Sequence, residues 1–394
     1  ISTTDAPGIR VMTSLAYSFR SANFTGQMNN YQELNLSNWN MTNVNAAHDM
    51  FALTPNLGHQ FDVIIHNWNL INCYTIYRIF YQSFGYNTSS YTPGTLSLTG
   101  WSVGSVGSDP VTLRESFYDA NKFNGDLSNW IVTDPDGMYR CFMKCNEWTG
   151  VGISSWIVTS PSGSLYSMEQ CFQSCFRLGN NVHIDISDSH NGGGGTWDYS
   201  YCISLEQAFR NCTCLGINTN SSFKMDGCNL GNIGDSDRER TRNIFRDGFG
   251  NTANLPSGLS YPNPSNNVSI KNWKMSRSDA DITDGLNVRQ IFYGCTKFNG
   301  DVSGWEIKDP NDFYRCFWGC NEFIGLGIQS WNINCHSGVL FSMAEMFKNN
   351  YKLGDNLDID LSHSTTGWDS TYVSQVDSLF HGCWRPLEII LYLK

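Results

Sequence analysis

The chain has 394 residues, a formal net charge of −11 and only 15% charged residues. This acidic balance argues against a nucleic-acid partner, which requires basic patches. A mildly acidic surface rich in Asn, Ser and Gly instead favours an extracellular protein over a cytosolic enzyme.

A frame of apolar residues recurs along the whole chain. A small or apolar residue precedes a phenylalanine by four positions in twelve repeats. Their phenylalanines are Phe19, Phe51, Phe80, Phe117, Phe142, Phe172, Phe209, Phe245, Phe292, Phe317, Phe347 and Phe380. Over residues 138–145 the apolar residues fall at i, i+3, i+4 and i+7, which is the stripe of a two-turn amphipathic helix. We therefore predict a short helix in each repeat.

Short apolar runs follow these segments and usually end at a tryptophan. The runs end at Trp39, Trp68, Trp101, Trp130, Trp156, Trp273, Trp305 and Trp331, and two further repeats carry VHIDIS and LDIDLS. Alternation of apolar and polar residues over such a run predicts a half-buried strand. One helix and one strand of this size cannot bury a core alone. The repeats are therefore predicted to stack in register, with their strands in one parallel sheet.

One stretch of the chain is duplicated at an offset of 175 residues. Residues 117–156 and 292–331 are identical at 23 of 40 positions without a gap. We predict a block duplication that covers 113–212 and 288–383, inside a single solenoid over 1–394. The longest insertion, about 251–267, is a Pro/Asn/Gly loop and a candidate for disorder or function.

These repeats resemble a known family. The pattern F-x-x-C-x-x-F-N-G-D-L-S-x-W, with its Met or Leu four before the Phe, is similar to the BspA-like leucine-rich-repeat surface proteins. It is more similar to the branch with "MF…FN-D-(I/L)-S-W" repeats, which occurs in bacterial surface lipoproteins and in protists and algae. The resemblance implies an α/β repeat: a leucine-rich-repeat-like solenoid of about twelve helix/turn–strand units on a cell surface, used for adhesion or scaffolding. It implies no catalytic residues, and this chain departs from it in its long repeats and its cysteine count.

The cysteines follow the repeat. Fourteen is a high, even number of cysteines, which indicates disulfides if the protein lies outside the cell. The sequence contains no CxxC pair, so the common zinc-ribbon spacing is missing. Candidates lie one residue before or three after the repeat phenylalanine: Cys141, Cys145, Cys171, Cys175, Cys212, Cys295, Cys316 and Cys320. A staggered pairing gives Cys145–Cys171 and Cys295–Cys316; a straight pairing gives Cys141–Cys171, Cys145–Cys175 and Cys295–Cys320. Reduced core cysteines are the alternative, since Ala120 occupies the slot of Cys295.

Seven sequons match the N-glycosylation acceptor pattern, which favours a secreted or cell-surface glycoprotein. Their asparagines are Asn23, Asn35, Asn40, Asn87, Asn211, Asn220 and Asn267.

The other candidate sites have competing structural explanations. A tryptophan ladder would suit carbohydrate stacking, but its fixed frame favours core packing; Trp148, Trp318 and Trp384 lie outside that frame and are the better candidates for exposure. Acidic pairs in turns are calcium candidates: Asp134, Asp136, Asp309 and Asp312. Carboxylates in Asp-Pro sequences are more often parts of plain turns than calcium ligands. No cofactor motif or catalytic frame is evident, and we predict no transmembrane segment.

The sequence therefore predicts a non-enzymatic extracellular protein that acts in structure, assembly or adhesion. Its partners would be other protein surfaces, by self-association or within a filament or coat. A glycan-binding, lectin-like surface protein is the first alternative, and a viral surface glycoprotein is the second.

Overall fold

A computed structural model describes residues 12–24, 33–104, 110–190, 193–230, 240–251, 253, 264–276, 286–335, 340–361, 367–384 and 389–390. The chain separates into two compact units, Ile1–Leu178 (unit 1) and Gly179–Lys394 (unit 2). Most of the 251–267 insertion lies outside the described residues. The single solenoid and the bounds of the block duplication remain predictions.

Unit 1 is built from short parallel strands. They are β1 (Glu33–Asn35), β2 (Asp62–Ile64), β3 (Asn69–Leu70), β4 (Leu96–Ser97), β5 (Ser102–Val103), β6 (Val111–Thr112), β7 (Ile131–Thr133), β8 (Pro135–Gly137), β9 (Ile157–Thr159) and β10 (Tyr166–Ser167), with a 3-10 helix η1 (Ile153–Ser155) before β9. Three sheets result, and their unit 1 strands have the orders β1-β2-β4, β3-β5-β7-β9 and β6-β8-β10. Isolated bridges extend two of these sheets, as between Ala46 and Thr75 and between Ser97 and Asp126. The repeats therefore form successive rungs of a stack.

Unit 2 follows the same plan. Its strands are β11 (His183–Asp185), β12 (Cys202–Ser204), β13 (Ser222–Lys224), β14 (Asn229–Leu230), β15 (Val268–Ser269), β16 (Lys274–Met275), β17 (Leu286–Asn287), β18 (Glu306–Lys308), β19 (Pro310–Asp312), β20 (Asn332–Asn334), β21 (Phe341–Ser342), β22 (Ile359–Asp360), β23 (Val373–Gln375) and β24 (Ile389–Ile390), with 3-10 helices η2 (Ile328–Ser330) and η3 (Ser370–Tyr372). The sheets have the orders β11-β13-β15, β14-β16-β18-β20, β17-β19-β21-β23 and β22-β24. Parallel stacking of the strands is confirmed, although they form several sheets and not the single predicted one.

The predicted helices are wrong. In the described part of the chain the only helices are the three-residue 3-10 helices η1 to η3. Around each repeat phenylalanine the backbone forms overlapping turns: Ser116 N donates to Leu113 O (3.2 Å), whereas Phe117 N donates to Cys141 O of the next rung (2.7 Å). Every second amide thus leaves its own segment. An α-helix, which needs every amide within the segment, is excluded.

A repeated backbone conformation makes these turn segments possible. The residues two before and two after the repeat phenylalanine have positive φ in all twelve repeats, as at Glu115 (53°) and Asp119 (60°). Most of them are not glycine, although a left-handed conformation costs an ordinary residue roughly 1 kcal/mol or more. The ladder hydrogen bonds between rungs hold the backbone in this form.

Aromatic ladders fill the core of each unit. Successive repeat phenylalanines stack with ring centroids 5.0 to 5.6 Å apart in unit 1 and 5.0 to 5.8 Å apart in unit 2. Trp39, Trp68, Trp101, Trp130 and Trp156 form a second ladder in unit 1, and Trp273, Trp305, Trp331 and Trp368 form one in unit 2. Most indoles donate to a carbonyl of the preceding rung, as Trp331 Nε1 does to Val302 O (2.8 Å).

The FNGD motif has a structural explanation at each residue. Phe123 lies in the core, and Asn124 Oδ1 accepts from Thr149 N of the next rung (3.0 Å). A side chain at Gly125 would meet the Phe123 ring at 2.6 Å. Asp126 Oδ1 accepts from Ser128 N (2.8 Å) and closes the bend before the strand tryptophan. The most regular motif of the sequence therefore builds the rung.

Candidate functional site

The tryptophans are mainly core residues. The strand tryptophans are buried, which confirms packing over a carbohydrate-stacking platform. Trp148 is also fully buried, so the expectation that it is exposed was wrong. Trp318 is half-buried against Tyr293, and Trp384 is 75% exposed beside Tyr351.

The cysteines are core thiols in the structure. All fourteen lie in the described residues, and none is bridged. Neither the staggered nor the straight set of disulfides is formed. Cys145 Sγ donates to Phe117 O (3.1 Å) and Cys320 Sγ to Phe292 O (3.0 Å), so the thiols that follow the phenylalanine bond to the preceding rung. Burial raises the pKa of each of these two thiols well above its ordinary value.

Two of the calcium candidates have other partners in the structure. Asp134 is buried and accepts from Ser162 N (2.9 Å) in a turn. Asp312 accepts from Tyr314 N (2.6 Å) and pairs with Arg289 (3.3 Å), and burial raises its pKa. Asp136 is exposed and Asp309 half-buried. No group of three or more His, Cys, Asp or Glu side chains suited to a metal occurs among the residues described.

The sequon asparagines lie at the surface to different degrees. Asn23, Asn40, Asn87, Asn220 and Asn267 are exposed, whereas Asn35 and Asn211 are half-buried. The exposure of the first five asparagines permits attachment of an N-linked glycan, and glycosylation at these sites remains a prediction.

Sequence reasoning missed a surface on the outer side of the turn segments. In unit 1 this surface, which we name turn face 1, comprises Tyr77, Arg78, Tyr81, Arg114, Glu115, Tyr118, Tyr139 and Arg140. Arg78 lies 4.6 and 4.7 Å from the ring centroids of Tyr77 and Tyr81 and forms a 2.7 Å ion pair with Glu115. Arg114 and Arg140 both pack on the Tyr139 ring, at 4.8 and 4.6 Å. Cation–π contacts and ion pairs hold these side chains in place while leaving part of each in solvent.

Turn face 2 repeats this arrangement in unit 2. It comprises Arg246, Arg289, Tyr293, Tyr314, Arg315, Trp318 and Glu345. Arg289 and Arg315 pack on the Tyr314 ring at 4.8 and 4.6 Å, and Tyr293 stacks on Trp318 at 4.6 Å. The contacts of Arg289 and Arg315 with Tyr314 coincide with those of Arg114 and Arg140 with Tyr139 at the 175-residue offset.

The electrostatics of the two faces follow from their packing. Burial, followed by the Glu115 carboxylate, raises the pKa of Tyr77. The hydrogen bond from Arg315 lowers the pKa of Glu345. A signal for these faces exists in the sequence: Tyr or Arg recurs one residue after and two or three before the repeat phenylalanine. These outward positions lack a hydrophobic period, so pattern analysis passes over them.

A polar groove lies beside turn face 1. It has a volume of about 470 Å³, and its lining includes Asp119, Asn121, Lys144 and Asn146. Asn121 Nδ2 donates to Asp119 Oδ1 (2.8 Å) and Lys144 O (3.3 Å). The groove therefore offers both hydrogen-bond donors and hydrogen-bond acceptors, on a backbone that the ladder fixes.

Stacked short strands, repeated turn segments and continuous aromatic ladders define a solenoid-like repeat protein. A family model described as "Mycoplasma protein of unknown function, DUF285" matches residues 19–103, 95–184, 261–359 and 286–385. The chain belongs to this family, and the four overlapping matches agree with the repeats found in the sequence. No curated protein and no solved structure matches the chain. Within the described residues, no helix has the length and apolar character needed to cross a bilayer.

Proposed function

We propose that this protein is a non-enzymatic extracellular repeat protein that joins protein surfaces through turn faces 1 and 2. It would act as a leucine-rich-repeat-like surface protein in assembly or adhesion, as the BspA-like resemblance implies. Exposed sequon asparagines and the acidic, Asn-rich composition support a location outside the cell.

One observation carries the proposal: both units present the same ordered Tyr/Arg face. Tyrosine, tryptophan and arginine are the residues that dominate protein–protein binding energy. Here their side chains are partly exposed, with Arg78 at 35%, Arg114 at 54% and Arg315 at 33%. They are also held by their neighbours, so little side-chain entropy remains to be lost on binding.

A second copy of the chain is the partner that the charges favour. Each face carries arginine beside glutamate, as in the pairs Arg78–Glu115 and Arg315–Glu345. A surface with both signs of charge is able to pair with itself in an isologous contact. Two such faces on one chain would allow extended assembly and not only a dimer.

Sedimentation equilibrium over a hundredfold range of concentration tests the proposal. The double variant Tyr139→Ala, Tyr314→Ala removes the central ring of both faces, and Tyr74→Ala removes an exposed tyrosine (48%) outside them. We expect the wild type and Tyr74→Ala to gain mass with concentration and the double variant to remain monomeric. A wild type that stays monomeric throughout, or a double variant that associates equally, would contradict the proposal.

A further inference from the structure

Three successive rungs build the polar groove in unit 1. The residues two and four after the repeat phenylalanine line it: Asp119 and Asn121, then Lys144 and Asn146, then Ser174 and Phe176. Their phenylalanines stack 5.0 and 5.6 Å apart, so equivalent side chains are spaced by one rung. The lining is thus fixed by the core ladder.

The groove contains an unsatisfied acceptor. Asn146 Oδ1 is buried and has no hydrogen-bond partner, and a buried acceptor left unpaired is costly. Asn321, the equivalent residue in unit 2, is satisfied when its amide is oriented to donate to Gly319 O (3.2 Å) and Asn349 O (3.0 Å). Asn146 therefore keeps an unpaired acceptor in the wall of the groove, which its unit 2 equivalent does not.

The duplicated block shows which groups distinguish this groove. At the 175-residue offset, Asp119 corresponds to Gly294 and Lys144 to Gly319. All four residues have positive φ, between 60° and 72°. At these two positions unit 2 therefore has the same backbone without the carboxylate and the ammonium group, although the carboxylate of Asp247 lies beside Gly294 from the preceding rung. Those two groups are additions to the ladder and are not needed to build it.

We propose that this groove binds a neutral saccharide. Its three Asn amides (Asn87, Asn121 and Asn146), one carboxylate and one ammonium supply donors and acceptors for hydroxyl groups, and the two charges cancel. Tyr86 and Phe176 also line the groove, and their rings provide apolar surface for the C–H face of a pyranose. A volume of about 470 Å³ lies within the range of small-molecule sites. This inference is independent of the proposed association through the turn faces.

The double variant Asp119→Gly, Lys144→Gly tests the proposal, because it gives unit 1 the residues that unit 2 already carries. Glycine is favoured at positive φ, so the variant should fold with unchanged or raised thermal stability. The matched control is Thr296→Ala, at the unit 2 position that corresponds to Asn121. All proteins are produced in a host without N-glycosylation, since the sequon residue Asn87 lines the same groove.

Titration calorimetry and saturation-transfer NMR with glucose, galactose, N-acetylglucosamine and their β-1,4-linked disaccharides provide the measurements. We expect at least one of these sugars to bind the wild type and Thr296→Ala equally and to bind the double variant at least tenfold more weakly. No binding by any of these sugars, or equal binding by the double variant, would overturn the proposal. The Tyr139→Ala, Tyr314→Ala variant should bind sugar normally, which separates this test from the association test.

Discussion

At the residue scale, one ion pair on turn face 2 makes a pH-dependent contribution. Arg315 Nε lies 2.7 Å from Glu345 Oε2, and the side chains are 33% and 19% exposed. The hydrogen bond from Arg315 lowers the pKa of Glu345 below its ordinary 4.5. A carboxylate with a depressed pKa stabilises the fold above its unfolded pKa, and that stability is lost as the pH falls through the folded pKa.

Glu345→Gln should therefore destabilise the protein at pH 7 by about 0.5–1 kcal/mol, the value for a partly exposed pair. The difference from wild type should vanish below the folded pKa of Glu345. Urea unfolding at a series of pH values measures this difference in the free energy of unfolding. Glu306→Gln is the control, because Glu306 is 49% exposed and 3.7 Å from Lys274. A difference that persists unchanged at low pH would contradict the assignment.

The buried thiols provide a second prediction at this scale. Burial raises the pKa of Cys73 to about 11 and of Cys335 to about 12, and thiolate is the reactive form. In the native protein at neutral pH we expect negligible alkylation by iodoacetamide at both residues.

Unfolding without reductant then tests the redox state. Fourteen alkylated cysteines, counted by intact mass, would match the reduced thiols of the structure. Each disulfide, in either the staggered or the straight set, would lower the count by two. Rapid alkylation of the native protein would contradict the burial.

At the element scale, sequence patterns predicted the ladders but not the turn segments. Phe117 and Trp130 recur at fixed positions because each rung must present an aromatic ring to the next. An apolar stripe at i, i+3 and i+4 fits either a helix or overlapping turns. The choice depends on Phe117 N, which bonds to Cys141 O in another rung. A local pattern carries no information about that partner.

The groove left no signal in the sequence, for a related reason. Asp119 and Lys144 differ in charge and occupy equivalent positions, so no residue type repeats there. Their juxtaposition arises only when rungs 25 residues apart are stacked. The duplication is evident in the sequence. It helps to interpret the groove only once the structure shows that Gly294 and Gly319 occupy the positions of Asp119 and Lys144 in unit 2.

Replacement of one ladder tryptophan tests how much a single indole ring contributes to the stability of the fold. Trp331→Phe removes the donor to Val302 O and shrinks a fully buried side chain. The lost hydrogen bond and the cavity together should cost about 2–4 kcal/mol. Trp384→Phe is the matched control, because Trp384 is 75% exposed, and it should change stability by less than 0.5 kcal/mol. Equal unfolding midpoints in urea for the two variants would refute the ladder's role.

At the scale of the whole molecule, a stack of rungs should tolerate the loss of a complete rung better than the loss of half a rung. Each rung contacts only its neighbours, so stability is close to a sum of rung and interface terms. Phe117 and Phe142 are one repeat apart, and β7 and β8 lie between them. Deletion of residues 118–142 joins Phe117 to Met143 and removes one strand from each of two sheets. Phe117 would then stack on Phe172, and Trp101 on Trp156.

We expect this deletion to fold and to unfold cooperatively. Its loss of stability should be about 5 kcal/mol at most, since the ordering entropy of the deleted residues is removed along with their buried area. Deletion of residues 118–129 is the control: it removes fewer residues but joins Phe117 to Trp130, so every later strand of that rung loses its register. Near-ultraviolet circular dichroism should show ordered aromatic rings in the longer deletion and lose that signal in the shorter one. The reverse order of stability would show that the repeats do not behave as interchangeable rungs.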